Sequence, residues 1–469
     1  MNKKTHKVKN LIMACENLIE SGKVDLAVKK IRSGVAKYPN DPVILSTASI
    51  IFFKSNKLSI AENFAKKLIM EKSSNVESRD YFIYAMILEK NKKINLAEKY
   101  YRKSIDINPD SYEQLRHFAN FLLGIGNVQE CKKILSDKIL EINKFDYEAK
   151  YLLSHAQLMS GEYEEGWKNN EYRLDISRLK KNHLIKLKRI HDGIVPQWKG
   201  ESLKEKIILI HNEQGIGDDI QFSRYIYCLR SYQPKKIILF CRPALESLFL
   251  NSDIYDEVIT EKDKTKLNSL EFDYYSRLMS LPNIMQVNEH DISTNFIPYL
   301  RTSKKEYNQI QNQKKHLKVG FCWKGNPEFD RDYARSISSV AELELIFNID
   351  NIEFFNLQPD KSSKCEAYIH QKTNLFDCAP FINDYQDTVN ILSKLDLIIS
   401  TDTSIVHAAG AIGKNCLLLL SNFHSDWRWG LNNNESIWYP TIRIFRQKEY
   451  FNWDGPLREV RKELERLLG

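Results

Sequence analysis

Residues 206–218 read KIILIHNEQGIGD. The first six are a short apolar run rich in β-branched side chains, the composition of a strand buried in a parallel sheet. Two glycines follow, which let the chain turn and let a ligand approach the backbone. The next stretch, DDIQFSRYIYCLR (218–230), has a helical pattern. KKIILFCRP (235–243) is the next strand, with EVIT (257–260) after it. A second series begins at LKVGFCW (317–323) and continues through IEFFNLQ (352–358), LDLIIST (395–401) and NCLLLLS (415–421). Strands separated by helical segments imply parallel sheets joined by crossover helices. Two such series imply two doubly wound, Rossmann-like halves facing one cleft. The expected halves are 201–305 and 316–455, with a polar break near 303–316 and a closing helix at 456–469.

Upstream the period changes. Gly22, Val24, Ala27, Ile31 and Pro39 are followed by Asn56, Leu58, Ala61 and Ala65, a shift of about 34 residues. After a two-residue slip near Ser73 to Ser78 come Ile94, Ala97, Tyr101 and Pro109. Gly126, Val128, Cys131 and Leu135 form a fourth unit, and Gly161, Tyr163 and Gly166 a weaker fifth. Each unit reads as two antiparallel helices. Ala27, Ala61 and Ala97 mark close helix crossings, and the glycines mark turns where a positive φ is useful. Pro39 and Pro109 end the second helices. One unit cannot bury its own apolar face, so residues 1–175 are expected to stack into an all-α solenoid with a concave groove. That groove suits a peptide or partner protein; the plainer alternative is a support for the rest of the chain.

Bulk properties narrow the class. The 469 residues exceed one ordinary domain, and 42% hydrophobic with 28% charged residues is a globular composition. The net charge of +8, from 69 basic and 61 acidic residues, falls short of a nucleic-acid footprint. None of the eight cysteines forms a CxxC pair, which removes the usual zinc and redox motifs and favours buried, reduced thiols. The N-terminus lacks an uninterrupted apolar core, and no stretch of about 18 apolar residues occurs, so a cytoplasmic protein is expected. From Arg173 to Arg189 there are seven Lys or Arg and one Asp. Such a run could touch an anionic membrane face peripherally; more often it is a solvated connector, and 176–200 is read as a basic linker. Pro196 marks the start of new structure.

In open α/β sheets ligands sit at the carboxyl ends of the strands. After the first strand stand Gly215, Gly217 and Asp218, whose helix offers N–H groups to an anion. Asp218 alone also fits a helix N-cap. After LKVGFCW come Lys324 and, downstream, Arg335, two cations able to neutralise a diphosphate. After LDLIIS come Asp402, Thr403, Ser404 and, one turn into the helix, His407. Hydroxyls and amides there suit phosphate oxygens, while Asp402 or Thr403 also fits a simple cap. DWRW (426–429) and WYP (438–440) suit a base or sugar platform, or ordinary packing at a domain edge.

Residues 8–175 resemble the tetratricopeptide-repeat family. The ordered set GEYEEGW (161–167), PQWKGE (196–201), EQGIGD (213–218), QFSRY (221–225), WKGN (323–326), RSI (335–337), LDLIISTDTSIVHAAGAIGK (395–414), DWRW, WYP and IFRQ (444–447) resembles the heptosyltransferases of glycosyltransferase family 9. That resemblance implies a GT-B fold and a metal-independent, inverting glycosyltransferase with a nucleotide-sugar donor as co-substrate and no further cofactor. It places the proton-accepting acid at Asp218, with Asp219 the neighbouring candidate. Asp402, Thr403, Ser404 and His407 would hold the donor's phosphates and ribose, and Lys324 and Arg335 would offset leaving-group charge. Heptosyltransferases lack the repeats, which points to a glycan or protein acceptor and, by architecture, to enzymes that modify Ser or Thr with N-acetylglucosamine. The rival reading is a non-catalytic repeat scaffold with an inactive GT-B module.

Overall fold

The computed structural model describes residues 3–72, 76–176, 190, 192–293, 297–305, 316–358 and 374–469. Most of the basic linker, the core of the polar break, Cys365 and part of the slip near Ser73 lie outside the described residues. The chain packs into two compact units: residues 1–122 with 133–144, and residues 123–132 with 145–469.

The first unit is a tetratricopeptide-like array of helical hairpins. Its first six helices are Lys3–Glu20, Val24–Lys37, Pro42–Lys54, Leu58–Lys72, Ser78–Lys90 and Ile94–Ile107, and most of Tyr112–Gly124 follows in the same unit. The third begins for a local reason. Asp41 accepts hydrogen bonds from the Val43 and Ile44 amides at 3.2 and 3.4 Å, and Pro42 takes the first helical position. Ala27, Ala61 and Ala97 are fully buried, as close crossings require. The turn inside each of the first three hairpins holds a left-handed residue: Gly22 at φ 73°, Asn56 at 56° and Lys92 at 63°. Lys92 carries no sequence signal, because the lysine adopts by context what glycine adopts freely. Buried polar side chains pair with one another: Ser78 and Ser104 both donate to Gln114 Oε1, at 2.6 and 2.9 Å.

The second unit holds two parallel sheets. The smaller has the order β3-β2-β1-β4, with β1 Ile207–His211, β2 Lys236–Phe240, β3 Glu257–Ile259 and β4 Tyr274–Arg277. The larger has the order β10-β9-β8-β5-β6-β7. Its strands are β5 Leu317–Cys322, β6 Ile352–Asn356, β7 Leu375–Asp377, β8 Leu397–Thr401, β9 Cys416–Leu420 and β10 Ile442–Arg446. Sequence reading finds the central strands and the edge strand β3 but not β4, β7 or β10. These lie at sheet edges, where one side needs no apolar run; β10 exposes Arg443 between buried Ile442 and Ile444. The helix Asp454–Leu468 lays Leu457, Val460 and Leu464 on the large sheet beside Phe321 and Leu419. The helical hairpin Tyr147–Met159 and Tyr163–Asn170, with the 3₁₀ turn Glu171–Leu174, also belongs to this unit.

Three local expectations change. Arg173, read as the first member of a solvated basic run, is fully buried, because Glu213 and Glu171 pair with it. Asp218 is not an N-cap: Gly215 takes that place, and Asp218, three residues on, accepts the Gly215 amide at 2.8 Å. Neither Gly215 nor Gly217 has a left-handed backbone, so the turn after β1 does not need glycine for its φ.

Candidate functional site

Topology marks two places. Strand order reverses between β1 and β4 in the small sheet, and between β5 and β8 in the large one. A crevice forms at the carboxyl ends of such strand pairs. Gly215, Gly217 and Asp218 follow β1; Lys324 follows β5; Asp402, Thr403, Ser404 and His407 follow β8. Helix Ile216–Phe222 packs against helix Ser404–Ala411, which brings the two crevices side by side.

Gly217 is a point of close approach. A Cβ at Gly217 would stand 2.8 Å from His407 Cδ2, so a side chain of the opposing helix occupies the space beside it. His407 is 6% exposed, its Nδ1 lies 3.0 Å from the Tyr439 hydroxyl, and its ring stacks on Trp429 with centroids 5.7 Å apart. Burial, reinforced by Arg428, pushes its pKa down to about 3. The ring is therefore neutral near pH 7 and offers hydrogen bonds and packing rather than positive charge.

Both oxygens of Asp218 are engaged, one by the Gly215 amide and the other by Arg428. Arg428 is the residue sequence reading most clearly missed. Its guanidinium also grips both oxygens of Asp426 at 3.0 and 3.1 Å, donates to Gln221 and lies 4.4 Å over the Trp427 ring. The only hint was its place in DWRW, where the indoles drew attention as a platform. Instead Trp427, Trp429 and Trp438 are buried, so their faces serve packing. Asp219, the neighbouring candidate, is buried against Arg242 at 3.0 Å; burial drives its carboxyl up to about 8.

On the other side, burial and then the Asp426 charge raise Asp402 to about 6, with Arg335 opposing. Thr403 is the helix cap, accepting the Ile405 amide at 3.3 Å, and Ser404 meets the Tyr385 hydroxyl. Arg335 is anchored by Asp332 at 3.0 Å and lies 4.6 Å over Phe329. A Cβ at Gly325 would sit 2.3 Å from an Arg335 nitrogen and 2.7 Å from Asp332 Oδ1, so a side chain there would displace the Arg335–Asp332 pair. The Lys324 amide donates to Gln358 at 3.2 Å. The helix Tyr147–Met159 contributes Tyr151, which accepts from Gln214 at 3.2 Å, and half-buried His155, whose pKa burial lowers to about 4 and the Asp426 charge pulls back. Helical periodicity alone could not assign these two to the site. Among the described residues no His, Cys, Asp or Glu cluster is arranged to hold a metal, and no helix is long and apolar enough to cross a membrane.

No protein-family profile matches the chain. It is similar to Protein FlbA of Caulobacter vibrioides, 22% identical over 286 residues. That match takes in 56% of this chain and 47% of FlbA, so the chain spans about half the length of this curated relative. Among solved structures it is similar to YrrB, described as a TPR protein with an unusual peptide-binding site. The identity is 12% and the TM-score 0.32, over 41% of this chain and 99% of YrrB. A tetratricopeptide repeat protein from Parabacteroides merdae is 18% identical with a TM-score of 0.32, over 36% of this chain and 66% of that one. PilF of Pseudomonas aeruginosa is 12% identical with a TM-score of 0.33, over 37% and 78%.

Proposed function

We propose that the second unit is a metal-independent, inverting glycosyltransferase of GT-B type, taking a sugar from a nucleotide-activated donor to a hydroxyl of a glycan or protein acceptor. The observation that carries this reading is the meeting of two strand-order reversals, one bearing Asp218 and the other bearing Lys324, Arg335, Asp402 and a capped helix start. In this reading Asp218 accepts the acceptor's hydroxyl proton as the oxygen attacks the anomeric carbon, and the bond from that carbon to the diphosphate breaks. Lys324, Arg335 and Arg428 offset the charge that develops on the departing diphosphate. Asp402, as a carboxylate, suits a donor hydroxyl better than a phosphate. Asp218 must first exchange its Arg428 partner for the acceptor hydroxyl, since a fully engaged carboxylate is a poor base. The helical array binds a peptide or protein partner.

The engagement of both Asp218 oxygens also favours a second reading, a scaffold whose transferase site is silent. A thermal-shift panel of ADP, UDP, GDP and CMP, with and without magnesium, separates the two. A magnesium-independent shift by one diphosphate is expected and names the donor class. No shift by any of them, in folded protein, would replace the enzyme reading with the scaffold.

A further inference from the structure

The small sheet's own crevice, at the carboxyl ends of β1 and β4, is filled by a side chain from the last helical hairpin. Arg173 Nε and Nη2 bind Glu213 Oε2 and Oε1 at 3.1 and 2.7 Å. Nη2 also reaches Ser280 Oγ at 2.9 Å. Nη1 binds Glu171 Oε1 at 2.6 Å and the carbonyl and side-chain oxygens of Asn170 at 3.1 and 3.2 Å. Every nitrogen of the guanidinium is thus bonded, and both the Arg173 and Glu213 side chains are 0% exposed. Ser280 closes the ring by donating to Glu171 Oε2 at 2.9 Å. A buried bidentate pair of this kind confers geometry more than stability, because desolvation offsets most of the attraction.

The geometry it confers is that of the loop after β1. Glu213 is the first residue of the EQGIGD motif. The next residue, Gln214, is held by Tyr151 at 3.2 Å through its side chain and by Arg242 through its carbonyl. Gly215 then donates to Asp218. From Arg173 to Asp218 the restraint is continuous through one short loop.

We propose that Arg173 is a positioning residue for the cleft: through Glu213 it fixes residues 213–217 and with them the place of Asp218, which makes the last helical hairpin a working part of the site rather than a separable arm. The role assigned to Asp218 rests on the transferase reading above; the fixing of the loop does not.

The test uses the full chain with Arg173→Met, with Glu213→Gln, with both, and with Arg173→Lys, reading amide hydrogen exchange at 214–218 beside thermal unfolding. Arg173→Met alone takes the guanidinium from the buried Glu213 and from Glu171 and should lower Tm. The double variant removes the two fully buried charges, leaving Glu171 with Ser280 as its donor, and should recover much of that Tm. Its 214–218 amides should nevertheless exchange about tenfold faster or more, as expected for losing charge-assisted hydrogen bonds. Arg173→Lys keeps the charge with fewer donors and should give an intermediate exchange rate at near-native Tm. Wild-type protection at 214–218 in the Tm-recovered double variant, or in Arg173→Lys if the double does not fold, would overturn the proposal. The nucleotide panel, run on wild-type protein, reports separately on the transferase reading.

Discussion

Replacing Gly217 with alanine tests the contact that joins the two crevices. Within a helix, alanine should gain up to about 1 kcal/mol over glycine. Here the new methyl would stand 2.8 Å from His407 Cδ2 and 3.3 Å from Nε2, well inside ordinary contact. The ring has little room to yield: it is 6% exposed, lies against Trp429 and holds the Tyr439 hydroxyl at 3.0 Å. Overpacking of this kind costs about 1–3 kcal/mol, so Gly217→Ala should be destabilising by roughly 1–2 kcal/mol net. Urea unfolding followed by tryptophan fluorescence suits the measurement, since all seven tryptophans lie beyond residue 145, in the second unit. His407→Ala should cost stability by itself, through the lost ring contacts and hydrogen bond. In the double variant the methyl has space, so the double should be more stable than the sum of the singles by about 1–2 kcal/mol. Additivity within about 0.5 kcal/mol would refute the claim that His407 fills the space beside Gly217.

His407 should also shape the pH dependence of stability. Its folded pKa, about 3, lies below the unfolded value, so the unfolded chain alone binds a proton between them. Stability should therefore be fully present above about pH 6.5 and decline by about 1.4 kcal/mol per unit as pH falls toward 3; His407→Gln should flatten that limb, and an unchanged slope would count against a buried neutral ring. Arg428→Met strands Asp218 and Asp426 without their guanidinium and should cost about 3–5 kcal/mol in urea unfolding; a loss below about 1 kcal/mol would show the pair to be solvated. In the first unit, Ala97→Leu forces extra methyl groups into a fully buried crossing and should cost about 1–3 kcal/mol, read as a lower helical melting temperature by circular dichroism. A neutral Ala97→Leu would deny the close crossing.

The legible part of this protein is the part that near neighbours decide. Alanines spaced about 34 residues apart mark helix crossings, because each repeat meets the same packing problem. Buried parallel strands such as β8 and β9 betray themselves by unbroken apolar runs, because both faces are covered. The edge strands β4, β7 and β10 did not, because their side chains are only partly covered, although the edge strand β3 was legible as EVIT. The candidate site was legible only as a set of places: Asp218, Lys324, Asp402, Thr403, Ser404 and His407 lie after a strand or in the first turns of a helix, Arg335 closes a short helix downstream, and strand order together with the packing of helix Ile216–Phe222 on helix Ser404–Ala411 brings those places together. What sequence could not tell is which charges are buried and with whom. Arg428 meets Asp218 across 210 residues and Arg173 meets Glu213 across 40. One arginine looked like part of an aromatic platform and the other like a solvated linker. A charge's partner depends on what the fold carries to it, and no local period records that; the repeats and strands were determined by the sequence itself, while the clamped carboxylate, the neutral histidine and the buried arginine were decided by tertiary packing alone.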